Sequence, residues 1–278
     1  MSLPAYSKSR IRLLLPATLL IALLFACAPA EENRQAPAED TTLTVYAAAS
    51  LTDAFGEIAK RYEADHPDVT LNFNFAGSNQ LAAQIDADAP VDVFASANPE
   101  QMEAAVATGR IDAGAPAIFV TNRLVVIYPV DNPANLTSLQ DLRNPDTLLV
   151  LAAEEVPVGR YSRAFLTAAS ADPAFGDSFQ SDVLANVVSY EENVRAVLNK
   201  VSLGEADAGI VYTSDLAAAP DVGRLDIPDA LNSIARYPIA VLNDSPHQAA
   251  AQSFVDFVLS AGGQQILANY GFGAGTPR

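Results

Sequence analysis

The segment Leu43–Asp53, which reads LTVYAAASLTD, joins a strand pattern directly to a helix pattern. Residues 43–48 are rich in β-branched, aromatic and small side chains and predict a strand. A helix pattern follows at 52–64, and Ser50 with Asp53 three residues later has the spacing of a capping box at its start. A strand that leads straight into a helix is typical of an α/β sheet, so the segment predicts that fold class.

Short strand patterns alternate with helix patterns along the rest of the chain. Further strands are predicted at residues 69–75, 91–96, 124–128, 148–151, 187–188, 208–212 and 239–242. Further helices are predicted through 81–85, 99–108, 158–169, 193–202 and 254–258. The polar stretch 131–137 separates two such series. The sequence therefore predicts two α/β lobes, each with a mainly parallel sheet flanked by helices.

The composition describes an acidic globular protein. The 278 residues are 50% hydrophobic and carry 33 Asp and Glu against 16 Lys and Arg, a formal net charge of −17. Because nucleic-acid binding depends on basic side chains that neutralise phosphates, this charge argues against a nucleic-acid partner. One Cys and two His exclude a disulfide framework within the chain and leave little for a zinc or iron–sulfur centre, so no cofactor is expected.

The first 26 residues have the pattern of an export signal. A basic segment at residues 8–12 precedes the apolar run Leu13–Ala26, which is too short to cross a bilayer. Leu24–Cys27, which reads LFAC, resembles the lipobox of bacterial lipoproteins and implies lipidation of Cys27; the alternative is an ordinary signal with an incidental cysteine. Residues 27–42 lack apolar periodicity and are predicted to be a flexible tether.

Five junctions bring a strand to a small or polar residue at which a helix begins. They are Ala49–Asp53, Ala76–Asn79, Val156–Gly159, Asn193–Val194 and Tyr212–Asp215. A helix start offers free N–H groups and a partial positive charge, so several starts aimed at one point can bind a dianion without Lys or Arg. The alternative is that Ser50 and Ser78 merely cap their helices. Each of these junctions lies at the carboxyl end of a strand, which is where open α/β sheets bind ligands. Five such junctions in one chain therefore favour an anion site over simple capping.

Seven short motifs resemble those of one known family. They are VYAAASLT at 45–52, FAGSNQL at 75–81, APVDVFASA at 89–97, VPVG at 156–159, ENVR at 192–195, GIVY at 209–212 and YGF at 270–272. Together they make the chain, from Leu43 to Phe272, similar to the periplasmic molybdate-binding proteins of ABC importers. The resemblance implies a two-lobed type II periplasmic-binding-protein fold with the ligand in the interlobe cleft. Lobe 1 would comprise residues 43–122 and 237–278, and lobe 2 residues 123–236.

The resemblance also implies how the anion is bound. In that family an oxyanion is held by neutral donors, and the matching positions here are the hydroxyls of Ser50 and Ser78, the backbone amides of Val158 and Val194, and the hydroxyl of Tyr212. The metal would be bound as molybdate or tungstate through these residues, without a separate metal site, and the lobes would close around it. The protein would be an exported monomer, periplasmic or on the outer face of the cytoplasmic membrane. It would deliver the anion to the ABC permease and would contact the membrane through a lipid on Cys27.

Two departures from the family and two nearby arginines bear on the predicted site. Asn193 stands where relatives often carry Asp, but the expected contact is from the amide that follows, so affinity should survive. Gly77 stands where some relatives have Ser. Arg160 and Arg195 lie beside two of the amides and could pair with the anion. The favoured alternative is that they pair with surface acids, because side chains at a helix start usually point away from its axis.

Two other function classes stay open. Sulfate is the stronger rival ligand because it is also a tetrahedral dianion, whereas a protonated phosphate generally requires an acceptor carboxylate in its site. A secreted enzyme is less favoured, since the sequence has no GxSxG, HExxH or P-loop motif. His66 and His247 are predicted to be surface residues. The chain is therefore predicted to bind a solute rather than to catalyse a reaction.

Overall fold

Strands and helices alternate along the described residues, 40–219 and 221–275, of the computed structural model. The strands are β1 Thr41–Ala48, β2 Val69–Ala76, β3 Val93–Ala95, β4 Ala117–Asn122, β5 Leu124–Pro129, β6 Leu149–Ala152, β7 Val187–Glu191, β8 Ala208–Tyr212, β9 Val222–Asp226, β10 Ala235–Val241 and β11 Gly273–Ala274. The α-helices are α1 Thr52–Asp65, α2 Ser78–Asp86, α3 Pro99–Ala107, α4 Pro157–Ala171, α5 Phe179–Ala185, α6 Val194–Ser202, α7 Gln248–Leu259 and α8 Ala261–Asn269. Three 3₁₀ turns lie at Ala49–Leu51, Leu139–Arg143 and Thr213–Ala218. The predicted signal peptide, Cys27 and the predicted tether as far as residue 39 lie outside the described residues.

The strands form two mixed sheets. The first sheet has the order β11-β4-β10-β3-β1-β2, and the second sheet has the order β7-β6-β8-β5-β9. In the first sheet β1 is parallel to β2 and β3, whereas β10 is antiparallel to β3 and β4. In the second sheet β6 is parallel to β7 and β8, whereas β5 is antiparallel to β8 and β9. The α/β class is confirmed, but the sheets are mixed rather than mainly parallel.

The antiparallel pairs involve the strands at which the chain passes between the sheets. β4 leads to β5 through Arg123 alone, and β9 leads to β10 through residues 227–234, without an α-helix in either link. The prediction of parallel strands rested on the alternation of strands with helices, which holds for βαβ units. That alternation fails at these two links. The residue pattern of a strand depends on burial and not on strand direction, so it does not indicate where the pairing changes from parallel to antiparallel.

The predicted apolar face of α1 packs into the core beside the first sheet. Phe55, Ile58 and Tyr62 are buried at the three- and four-residue spacing of a helix face. The Phe55 ring meets the Phe254 ring of α7 edge-on, with 6.1 Å between centroids and an interplanar angle of 89°. Such a contact contributes about 0.5–1.5 kcal/mol beyond the area that the rings bury. This packing holds the start of α1 beside the end of β1.

Helix α6 packs against the second sheet through the face that its sequence predicts. Val194, Val197, Leu198 and Val201 are all buried. Gly209 on β8 makes the close approach possible, because a Cβ atom at this position would lie 2.8 Å from Cγ1 of Val197. The start of α6 is thereby held near the carboxyl end of β8.

The structure also contains elements that the sequence patterns missed, namely β4, β9, β11, α5 and α8. Strand β1 begins at Thr41, two residues before the predicted start. Within residues 40–219 and 221–275, no helix combines the length and the apolar character that crossing a bilayer requires.

Candidate ligand site

A small cavity lies between the two sheets, at the ends of strands from both. The space in it that the centre of a water-sized sphere can reach is about 10 Å³. The residues that line it are Ala48, Ala49, Ser50, Ala76, Gly77, Ser78, Ala97, Val156, Pro157, Val158, Asn193, Val194 and Tyr212. None of these lining residues is Asp, Glu, Lys, Arg or His. The described wall of the cavity therefore consists of hydroxyl groups, backbone amides, one side-chain amide and small apolar groups.

The structure brings all five predicted anion-binding residues to this cavity. Ser50 and Ser78 follow β1 and β2 of the first sheet. Val158 and Val194 follow β6 and β7 of the second sheet, and Tyr212 ends β8. Each is at most 4% exposed. The five residues thus meet where parallel strands end, which is where open α/β sheets bind ligands; that they bind an anion stays a prediction.

Ser50 does not cap helix α1, and the predicted capping box is wrong. Residues Ala49–Leu51 form a 3₁₀ turn that continues into α1, so no extended N-cap residue occurs at position 50. Leu51 occupies the N-cap position of α1 without a side-chain cap. The Ser50 hydroxyl lies instead 2.9 Å from the hydroxyl of Tyr237 on β10. It is therefore not used by its own helix.

Ser78 does not cap its helix either. It is the first residue of α2, and Gly77 precedes it as the N-cap residue. Gln80 Oε1 accepts a hydrogen bond from the Gly77 N–H at 3.2 Å, which serves the helix start. Ser78 Oγ accepts one from the N–H of Ala97 at 3.0 Å. Because that amide can only donate, the proton of Ser78 stays available for another partner.

Two helices of the second sheet begin at the cavity. Pro157 is the first residue of α4, the position at which proline is favoured, as the sequence predicted. Asn193 caps α6, its Oδ1 accepting a hydrogen bond from the N–H of Ala196 at 3.0 Å. The amides of Val158 and Val194 lie in the first turns of these helices, where they have no acceptor within the helix. Asn193 thus caps the helix as Asp would, and Val194, which follows it, lines the cavity.

The hydroxyl of Tyr212 completes the set from the second sheet. The Tyr212 side chain is 1% exposed, and its hydroxyl lies beside the Tyr237 phenol but has no hydrogen-bond partner of ordinary geometry among the described residues. Burial raises the pKa of Tyr212 well above its ordinary value, and the neighbouring Tyr237 phenol adds to the rise, so the hydroxyl stays protonated. Buried hydroxyls in folded proteins nearly always have a partner. The unpaired hydroxyl therefore indicates a ligand that would accept its proton.

Arg195 is held by two acids, one from each side of the cavity. Its Nη2 lies 2.5 Å from Asp53 Oδ2 on α1, and its Nε lies 3.0 Å from Asp215 Oδ1, just after β8. Asp215 is fully buried rather than a surface acid, and its Oδ2 also accepts the Tyr212 N–H at 3.0 Å. Burial raises the pKa of Asp215 to about 7 despite the neighbouring arginine. Arg160 is exposed, and neither arginine lines the cavity.

The two sides of the cavity touch directly at Gly77. A Cβ atom on Gly77 would lie 2.6 Å from the backbone oxygen of Glu192, the residue two positions before α6. Nearby, Gln80 Nε2 donates a hydrogen bond to Glu192 Oε2 at 3.3 Å. The backbone of Gly77 is in the ordinary extended region, with φ −61° and ψ 135°. Glycine is therefore needed here for space and not for its backbone freedom.

Residues that sequence reasoning did not single out surround the five. Tyr237 contacts Ser50 across 187 residues of sequence, and Asn122 donates hydrogen bonds to Tyr237 and Ser214. No local spacing could reveal these contacts, because they depend on β10 lying in the first sheet. The two histidines are away from the cavity, and the described residues contain no group of three His, Cys, Asp or Glu placed to hold a metal ion.

Comparison with known proteins places the chain among bacterial binding proteins. Residues 43–273 match the family model described as bacterial extracellular solute-binding protein. The molybdate-binding protein ModA of Mycobacterium tuberculosis is 38% identical over 263 residues, which cover 93% of this chain and 95% of that protein.

Two solved structures share the fold at low sequence identity. The periplasmic molybdate-binding protein of Azotobacter vinelandii is 17% identical with a TM-score of 0.72, over 85% of this chain and 100% of its own. The sulfate-binding protein SubI of M. tuberculosis is 18% identical with a TM-score of 0.74, over 84% of this chain and 86% of its own. These likenesses establish the fold and leave the ligand open. The match over residues 43–273 shows that the chain belongs to the family of bacterial extracellular solute-binding proteins.

Proposed function

We propose that this protein captures molybdate, and with it tungstate, outside the cytoplasm and delivers the anion to the permease of an ABC transporter. The hydroxyls of Ser50, Ser78 and Tyr212 and the amides of Val158 and Val194 would hold the anion. The observation that carries the proposal is the buried cavity in which these five neutral donors meet. The M. tuberculosis relative, named as a molybdate-binding protein, supports the choice of anion.

Neutral donors suit a doubly charged anion in this acidic protein. The starts of α4 and α6 carry a partial positive charge that favours an anion. The charge of Arg195 is balanced by Asp53 and Asp215 and so adds little to the field at the cavity. Surface carboxylates more than about 8–10 Å away are largely screened at physiological ionic strength. The local donors, not the net charge of −17, therefore set the affinity.

The unpaired Tyr212 hydroxyl supports a ligand with hydrogen-bond acceptors. A buried polar group without a partner costs about 1–3 kcal/mol. An oxygen of a bound oxyanion would accept this proton, and the high pKa of Tyr212 keeps the proton available. The cost in the unliganded protein thus becomes part of the binding free energy.

Sulfate is the second candidate. It is also a tetrahedral dianion, and a sulfate-binding protein shares the fold, so the fold does not separate the two ligands. Size does: a smaller ion cannot reach all five donors of a rigid set at once. Each donor left unpaired would lower the affinity, by about 1–3 kcal/mol. We therefore expect sulfate to bind more weakly than molybdate.

The surroundings of the hydroxyls support binding rather than catalysis. A nucleophilic serine needs a base within hydrogen-bond reach. Here Ser50 contacts a phenol and Ser78 contacts a backbone N–H, and no histidine or carboxylate lines the described wall. Neither hydroxyl has a group that could remove its proton, so the protein would be a receptor and not an enzyme.

Membrane attachment is proposed on the sequence alone. The LFAC motif that ends at Cys27 would direct lipidation, which would hold an exported monomer at the outer face of the cytoplasmic membrane. Mass spectrometry of the purified protein tests this directly. We expect a chain that begins at a diacylated Cys27, and a chain without lipid would contradict the proposal.

Calorimetric titration of the protein with molybdate, tungstate, sulfate and inorganic phosphate tests the function. We expect one molybdate or tungstate per chain, with sulfate at least about tenfold weaker because of its unpaired donors. Tighter binding of sulfate than of molybdate would overturn the choice of anion. No binding of any of the four would overturn the oxyanion site.

Arg160→Gln is the matched control for the neutral site. The residue lies two positions beyond Val158 but is exposed and does not line the cavity. We expect near-normal molybdate affinity. Loss of binding in Arg160→Gln would show that a guanidinium holds the anion and would contradict recognition by neutral donors.

A further inference from the structure

A chain of buried hydrogen bonds leads away from Ser50. Ser50 Oγ lies 2.9 Å from Tyr237 Oη, and Asn122 Nδ2 donates to Tyr237 Oη at 3.3 Å. Asn122 Nδ2 also donates to Ser214 Oγ at 2.8 Å. All four residues are at most 3% exposed. The direction of each proton in this chain can be worked out from the donors and acceptors that the four residues contact.

The orientation of the Asn122 amide is set by its main-chain neighbour. Asn122 Oδ1 accepts a hydrogen bond from the N–H of Arg123 at 3.0 Å, and it accepts another from Thr213 Oγ1 at 3.0 Å. A backbone N–H can only donate, so the atom that faces it must be the amide oxygen. The amide nitrogen therefore faces Tyr237 and donates to it.

The proton of Tyr237 then has one destination. Tyr237 Oη has two hydrogen-bond partners of ordinary geometry among the described residues, Asn122 Nδ2 and Ser50 Oγ. The Tyr212 hydroxyl also lies beside it and faces it as a donor, which is the direction that raises the pKa of Tyr212. Tyr237 Oη accepts from Asn122, so its own proton goes to Ser50. Burial raises the pKa of Tyr237 above its ordinary value, which keeps that proton on the phenol.

The consequence falls on Ser50. Its oxygen accepts from Tyr237, so the remaining proton is free to point into the cavity. Ser78 is in the same state, because its oxygen accepts from the Ala97 N–H. Both hydroxyls of the first sheet are thus arranged as donors, which matches the backbone amides on the opposite side.

We propose that Tyr237 is a positioning residue, which fixes Ser50 as a hydrogen-bond donor and so restricts the site to oxyanions without a proton. The proposal rests on the proposed function, since it assigns Ser50 to the anion. A protonated oxyanion such as hydrogen phosphate needs an acceptor, and a Ser50 oxygen already bonded to Tyr237 is poorly placed to act as one.

A double-mutant cycle tests whether Tyr237 acts through Ser50. Tyr237→Phe, Ser50→Ala and the double variant would each be titrated with molybdate. We expect Tyr237→Phe alone to weaken binding about three- to tenfold, the effect of one hydrogen bond. In the Ser50→Ala background the same change should have no further effect, because the hydroxyl that Tyr237 orients is gone.

Tyr62→Phe is the matched control. Tyr62 is another fully buried phenol beside the first sheet, and its hydroxyl donates to Ala250 O, away from the cavity. Its loss should leave molybdate affinity unchanged. An equal loss from Tyr237→Phe with and without Ser50 would overturn the proposal, because it would show a packing effect. Wild-type protein that fails to bind molybdate would instead overturn the proposed function.

Competition against bound molybdate tests the consequence for selectivity. Sulfate and hydrogen phosphate have nearly the same size and, near pH 8, the same charge, but phosphate keeps a proton. In Tyr237→Phe the Ser50 hydroxyl can turn to accept that proton, so we expect the ratio of sulfate to phosphate affinity to fall at least about threefold. An unchanged ratio would overturn the role of Tyr237 in excluding protonated anions.

Discussion

The two sides of the cavity present their donors by different means. The first-sheet side uses the side-chain hydroxyls of Ser50 and Ser78, each directed by a partner 187 or 19 residues away in sequence. The second-sheet side uses mainly the amides of Val158 and Val194, which the starts of α4 and α6 direct, together with one side-chain hydroxyl, that of Tyr212. The orientation of a side-chain donor depends on a few specific neighbours, whereas the orientation of a backbone donor depends on the helix to which it belongs.

This difference decides how each side can be altered. A point substitution can remove or reorient a hydroxyl, and so the first-sheet side can change its selectivity through residues such as Tyr237. A backbone amide survives almost every substitution, so the two amides of the second-sheet side keep their preference for an anion whatever side chains surround them. Proline is the exception, because it has no N–H.

The largest effect is expected from Val194→Pro. Val194 is the first residue of α6, where proline is tolerated, and Asn193 has φ −159° and ψ 171°, the extended backbone that a residue before proline prefers. The substitution removes one donor and leaves the helix. A hydrogen bond to a charged group contributes about 1.5–3 kcal/mol, so calorimetry should show molybdate binding weakened about 10- to 100-fold.

Val194→Ala is the matched control, because it shortens the same side chain and keeps the amide. Its affinity should stay close to that of the wild type. If Val194→Pro keeps its unfolding temperature and binds molybdate normally, the amide is not a ligand, and the contrast between the two sides is lost.

A smaller effect is expected from Gly77→Ala, which tests how closely the two sides must approach. The added Cβ would meet the Glu192 backbone oxygen at 2.6 Å, so one side must shift, although no donor is removed. Overpacking of this kind costs about 1–3 kcal/mol, and we expect molybdate affinity to fall about tenfold by calorimetry. Gly56→Ala in α1 is the control, since a Cβ there meets nothing within 4 Å. Equal affinities in the two variants would refute a close-contact requirement.

Asp53→Asn should have a smaller effect still. It removes the charge that links α1 to Arg195 and leaves Arg195 paired with Asp215. Because the Asp53 side chain is 37% exposed, the pair contributes little, and a two- to threefold loss of molybdate affinity is expected, by about 0.5 kcal/mol. Asp65→Asn, whose acid pairs with Arg61 within α1, is the control. A large loss of molybdate affinity in Asp53→Asn, measured at high salt where exposed ion pairs are screened, would contradict the small contribution expected of this pair.

The sequence predicted those features that depend on neighbouring residues. The buried faces of α1 and α6 follow from three- and four-residue spacing, and Pro157 and Asn193 lie at the helix starts that their chemistry favours. Helix α8 was missed because its first turn contains Gly262 and Gly263, which are poor helix formers. Ser260 compensates, since its Oγ accepts the Gly263 N–H at 3.2 Å.

The sequence could not predict features set by the tertiary arrangement. The capping box at Ser50 failed because a 3₁₀ turn extends the helical backbone to Ala49, which no residue pattern announces. The partners of Ser50 and Arg195 lie on other elements, so their orientation required strand order and direction. The resemblance named the five cavity residues, but the reason that the two serines can donate appears once Tyr237 and Ala97 are in place.

The smallest effect is expected from a change of pH. Such a change tests Tyr212 apart from Ser50 and Ser78, because only the phenol can ionise. Ser50 and Ser78 do not titrate in water, so between pH 8 and 10 the donor most exposed to ionisation is Tyr212. An ordinary phenol has a pKa of about 10 and would be half ionised at pH 10, which would put a negative oxygen against the anion. Burial raises the pKa of Tyr212 well above that value, so the donor form persists as pH rises. Molybdate affinity should therefore change less than about twofold over this range, by calorimetry. If molybdate affinity falls in the wild type between pH 8 and 10 but does not fall in Tyr212→Phe, the phenol ionises. The second-sheet side would then depend on a side chain as well as on its amides.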